Sequence, residues 1–147
     1  MEPSEECAVA EVVRARRFEV VGQAGQVRAT VGVHPDGSLA LFLFDAAGNG
    51  RVSLGVLPNG NASVMVSDAA GEARAVLAVN PDGTPNLRVF DAAGGMRAML
   101  CVRPDGRPSL GLFDAAGEIL AMLFVQPDGS SSLALCDAAG NLVWKAP

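Results

Sequence analysis

Apolar and other positions alternate along much of the chain. In "RAVLAVN", Arg74 to Asn80, an extended backbone puts Ala75, Leu77 and Val79 on one side, the period of two that marks a β-strand. The same triplet returns as Val52, Leu54 and Val56, as Ala98, Leu100 and Val102, and as Ala121, Leu123 and Val125. Returning segments add Leu87 and Val89, Leu110 and Leu112, and Leu133 and Leu135. Each segment has about eight residues, a strand's length and too short for most helices. This face is expected to be the core. The opposite positions read Thr30 and Gly32, Ser53 and Gly55, Val76 and Ala78, Met99 and Cys101, then Met122 and Phe124, becoming more apolar toward the C-terminus. An antiparallel sheet commonly keeps one face wet. The late hairpins are therefore expected to be covered on both sides, with Met99, Cys101, Met122 and Phe124 facing a partner subunit, the N-terminal segment or a ligand.

Turn signals separate the strands at a fixed interval. "DAAG" begins at Asp45, Asp68, Asp91, Asp114 and Asp137, each 23 residues after the last. "PDG" begins at Pro35, Pro81, Pro104 and Pro127, with "PNG" at Pro58 in the same step and an eroded "VGQAG" at Val21 to Gly25. Proline presets a type I turn, aspartate bonds its local backbone and glycine takes the left-handed conformation that follows, so both signals predict a type I turn with a glycine bulge. A calcium site would need several oxygen ligands converging on one ion, and each loop brings one carboxylate.

Counted from Val12–Val21 to "NLVWKA", the chain spells about twelve short strands. The fold expected is all-β: an up-and-down antiparallel meander of 23-residue hairpin repeats, residues 12–147, behind an acidic leader, residues 1–11. Two unpaired edges favour closure into a barrel, or intermolecular closure in which three chains intertwine. A barrel of twelve strands has more interior than Ala, Leu and Val can fill, which leaves room for a plug, a flattened lumen or an apolar ligand.

The hairpin repeat with its "PDG" and "DAAG" turns, over roughly residues 12–147, resembles bacterial hairpin-repeat proteins of unknown function. It is also similar to the β-flower type, a shallow symmetric barrel of hairpin petals that is compared with the Tubby-like, lipid-associated barrel. The resemblance implies a closed shallow barrel and an association with lipid; it brings no catalytic or binding signature.

Charge narrows the partners. The formal charge is −5 and the pI about 4.7, which argues against nucleic acid. Cys7, Cys101 and Cys136 form an odd set without paired spacing, so neither a disulfide framework nor a zinc site is indicated. The acidic start does not resemble a secretory signal, and no apolar run approaches the roughly 18 residues of a membrane-spanning helix. A cytoplasmic location is the expectation.

Catalytic groupings are scarce. His34, the one histidine, shares its repeat column with Leu57, Asn80, Arg103 and Gln126 and reads as exposed filler. Cys101 and Cys136 lack a base and an orienting group, and no phosphate loop or metal-ligand spacing occurs; no enzyme, cofactor or metal is expected. Arg28, Arg51, Arg74 and Arg97 recur every 23 residues, the last three lying six residues after Asp45, Asp68 and Asp91. They fit either cross-hairpin ion pairs or, with Arg14, Arg16 and Arg17, a basic rim for an anionic partner such as lipid headgroups. Trp144 is expected to plug the end of the core. Two functions follow as expectations: a non-enzymatic, self-associating structural module, or a binder of an apolar molecule or lipid.

Overall fold

The computed structural model describes residues 11–146. The N-terminal leader lies outside them except for Glu11. Twelve strands follow one another: β1 (Arg17–Val21), β2 (Val27–Val33), β3 (Leu39–Phe44), β4 (Gly50–Val56), β5 (Ala62–Ser67), β6 (Ala73–Val79), β7 (Pro85–Phe90), β8 (Met96–Val102), β9 (Pro108–Phe113), β10 (Ile119–Val125), β11 (Ser131–Cys136) and β12 (Leu142–Ala146). The first begins at Arg17 rather than at Val12.

The turns explain why the strands stop where they do. From Gly25 to Gly140, the glycine closing each connection has φ between 79 and 87°, a region that costs an L-residue with a Cβ about 1–2 kcal/mol. In the "PDG" loop, Gly37 N donates to His34 O at 2.9 Å and His34 N to Ser38 O at 2.8 Å, the bonding of a type I turn closed by a glycine bulge. In "DAAG" the Asp45 carboxylate accepts from Ala47 N at 3.0 Å and Asn49 N at 2.9 Å. The short aspartate side chain thereby satisfies turn donors that the strands leave over.

All twelve strands form one antiparallel sheet in chain order, and each touches only its sequence neighbours. Among the described residues, β1 pairs only with β2 and β12 only with β11. The sheet is therefore open, and the expected closure into a barrel does not occur: β1 and β12 are free edges. An enclosed lumen for an apolar ligand goes with it.

The expected core is also reversed. Leu54, Leu77, Leu100 and Leu123, the centre of the Leu/Val face, are 53%, 54%, 48% and 49% exposed. The buried residues on strands are instead Thr30, Ser67, Ala78, Asn86, Ser109, Gly111, Ser132 and Ala134, all on the opposite face. The reason lies in side-chain length. On that face, rings and long chains lie flat over small neighbours: the Phe113 ring covers Gly111 so closely that a Cβ there would sit 3.1 Å from it. Short Leu and Val side chains stand upright and shield one another only sideways. Trp144 plugs nothing, being half exposed at the end of the Leu/Val face.

The surface area agrees with a single layer. The chain exposes 10175 Å², where a compact protein of 15.0 kDa exposes about 7000 Å². The ten leading residues would account for at most about 1600 Å² even if fully extended, so at least about half of the excess belongs to the sheet.

Candidate functional site

Strand register lines the exposed apolar residues into rows across the sheet. The central row runs Phe18, Val31, Leu41, Leu54, Val64, Leu77, Leu87, Leu100, Leu110, Leu123, Leu133 and Ala146, one residue from each strand. A second row, beside the "DAAG" turns, runs from Val20 through Ala29, Leu43 and Val52 to Leu135 and Trp144, likewise without a polar residue. A third, beside the "PDG" turns, includes Val33, Leu39, Val56 and Val79 and ends on Ser131. No charged side chain interrupts the three rows. At about 4.8 Å between strands and about 6.7 Å between successive residues of one face, the patch is about 53 Å long and about 15–20 Å wide. A typical monomer exposes no apolar patch above about 300–600 Å², and this one covers about 800–1000 Å².

The other face carries the polar chemistry. Arg28 Nε donates to Phe44 O at 3.0 Å and Arg51 Nε to Ser67 O at 2.9 Å. Arg51 also faces Asp45 Oδ2 at 3.5 Å, Arg74 pairs with Asp68 and bonds Asp91 O, and Arg97 Nη2 lies 2.5 Å from Asp91 Oδ2. Three of the four column arginines are thus neutralised by carboxylates of their own chain, and Arg51 and Arg74 also bond the end of the next hairpin. Backbone donors hold several turn carboxylates below their ordinary value: Asp45 through Asn49 N–H and Asp91 through Gly95 N–H, each helped by its arginine.

Met99, Cys101, Met122 and Phe124, the expected oligomer or ligand face, share this side and are half-buried. Cys101 Sγ lies 3.2 Å from Ser109 Oγ; Cys101 and Cys136 are free thiols. His34 is exposed and edge-on to Phe42, with ring centroids 5.6 Å apart. Among the described residues no group of His, Cys, Asp and Glu gathers closely enough to hold a metal, and no helix is long and apolar enough to cross a membrane.

One polar cluster escaped the sequence reading. A cleft of ≈320 Å³ opens beside β7 and β8, lined in part by Asn80, Asn86, Arg88, Met99, Cys101 and Arg103. Asn86 is only 8% exposed; its Nδ2 donates to Asn80 Oδ1 at 3.3 Å, while its Oδ1 and the buried Arg88 Nε have no partner. The signal was a break in the repeat. At the position of Asn86 the other hairpins carry Ala40, Ser63, Ser109 and Ser132, and at that of Arg88 they carry Phe42, Met65, Gly111 and Ala134.

A scan against protein-family models finds no match to this chain, and neither does a search of curated proteins.

Proposed function

We propose that this chain is a non-enzymatic structural module that assembles with copies of itself, packing Leu/Val face against Leu/Val face. The observation that carries the reading is the uncharged central row, which crosses all twelve strands and in which nine residues are 37–54% exposed. Among the described residues the folded chain buries only two apolar residues, Ala78 and Ala134, too little for a core that stabilises a domain of this length by itself. A second sheet at about 10 Å supplies the missing layer. The patch of about 800–1000 Å² matches the roughly 800 Å² per partner of a stable protein interface. Identical ridges recur every two strands, so one copy offers the other a complementary, evenly spaced surface. Two sheets face to face or three around an axis both satisfy this requirement.

Sedimentation equilibrium from nanomolar to micromolar protein tests the reading. The expected result is a dimer or trimer with β-rich circular dichroism. A folded particle that stays monomeric at micromolar concentration overturns it. So does a monomer that co-floats with neutral phosphatidylcholine vesicles, because the apolar face is then occupied by lipid.

A further inference from the structure

We propose that the cleft beside β7 is a binding site for a small carboxylate that also carries a hydroxyl or amine donor. The departure from the repeat supplies the first argument. Four hairpins fill the Asn86 position with alanine or serine and the Arg88 position with a ring, a methionine or a residue no larger than alanine. Each of these packs without a polar debt. The third full hairpin replaces them with an amide and a guanidinium and leaves one acceptor and one donor buried without partners, Asn86 Oδ1 and Arg88 Nε. Buried polar groups are nearly always bonded in folded proteins, so two orphan atoms on residues that line one cleft call for a molecule that offers the complementary pair once these side chains turn toward it.

The charge and shape of the cleft define that molecule. Arg88 and Arg103 both line it, and among the described residues neither makes an ion pair. The Arg103 side chain makes only a long hydrogen-bond contact, Nη2 to Met122 Sδ at 3.9 Å. Asp82 is the one acid in the lining, and its Oδ1 is occupied by Thr84 N at 2.9 Å and Thr84 Oγ1 at 2.6 Å. Two guanidinium groups against one engaged carboxylate favour an anion. A carboxylate accepts from Arg88 in the charge-assisted manner that suits guanidinium. Its neighbouring O–H or N–H donates to Asn86 Oδ1. Met99 and Cys101 offer a less polar wall to the carbon skeleton, and a volume of ≈320 Å³ lies at the small end of ligand pockets. Asn86, Arg88, Met99 and Cys101 lie on the face opposite the apolar rows, so the polar groups of the site stay open whether or not the chain assembles.

Saturation-transfer NMR on the full chain, with gluconate, hexanoate and sorbitol as probes, separates the required features. Gluconate carries both the carboxylate and hydroxyl donors, hexanoate only the carboxylate, sorbitol only hydroxyls. The expected result is saturable gluconate binding with a dissociation constant of about 1 mM or tighter, at least tenfold weaker binding of hexanoate and none of sorbitol. Arg88→Met abolishes gluconate binding, and Asn86→Ser erases its advantage over hexanoate. Both substitutions install what other hairpins already carry, at Met65 and at Ser63, Ser109 and Ser132, so the variants are expected to keep the fold, as circular dichroism will show. Gluconate binding that is undetectable, or equal in the wild type and the Asn86→Ser/Arg88→Met double variant, overturns the proposal. A monomeric wild type that binds gluconate overturns the assembly reading and leaves this one standing.

Discussion

The two faces of the sheet solve the same geometric problem with opposite chemistry. Each strand presents alternate residues to either side, yet one side stays half exposed although it is almost wholly apolar, and the other is the more buried although it holds arginine, serine and asparagine. The difference comes from mixing sizes. Where Arg, Met and Phe alternate with Gly, Ala and Ser, long side chains fold over short ones and one layer covers itself. Where Leu, Val and Ala stand in uniform rows, only a second layer can cover them. Burial thus follows packing before it follows polarity, and the self-covered face is free to carry chemistry while the uniform face awaits a partner.

The sharpest way to break this contrast is to place the same charge on either side. Leu77→Asp with Leu100→Asp removes two leucines of the central row, each worth about 1.5–3 kcal/mol if fully buried. Sedimentation is expected to show association weakened by more than about a hundredfold. Met65→Asp, on the self-covered face, leaves the mass unchanged.

Acid acts on the turns of both faces at once. Asp45 and Asp91 titrate below the ordinary value of 3.8 because backbone N–H groups of Asn49 and Gly95 bond the charged form. Their folded values are depressed, so the stability they contribute is complete above the unfolded value and is lost as pH falls through the folded one. Urea midpoints are expected to hold from about pH 7 to about pH 5 and to fall below about pH 4.

A single turn matters less. Gly94→Ala forces a Cβ into φ of 82°, with open space around it, so the cost is backbone strain alone, about 1–2 kcal/mol, read as a lower denaturant midpoint at unchanged slope. Smallest is Arg97→Gln. It removes the pair with Asp91, whose two side chains are 32% and 25% exposed, and is expected to cost under about 1 kcal/mol in the same melt.

What was legible in the sequence was local. A closing glycine, with proline or aspartate ahead of it in every turn but the first, determines each turn, the spacing between turns determines each strand, and the order of strands follows because every connection is short. Barrel closure was not legible, because it depends on twist accumulated over all twelve strands and no residue encodes it singly. Nor was the choice of covered face. Alternation separates Leu77 from Ala78 but says nothing about whether Arg, Met and Phe side chains will lie down across their neighbours. The ion pairs of Arg51, Arg74 and Arg97 were visible as a spacing of six residues. The cleft was visible only as two substitutions, Asn86 and Arg88, in columns that a reader follows for sameness rather than for exceptions.

The free edges have a further consequence. With an even number of strands, β1 and β12 run antiparallel, so a 23-residue unit can be removed or duplicated anywhere along the meander without changing how the remaining strands pair. Each unit contributes two strands, about 9.6 Å of sheet. The molecule's length is therefore a digital quantity: each unit added or removed lengthens or shortens the plank by an equal step while its two sides stay intact.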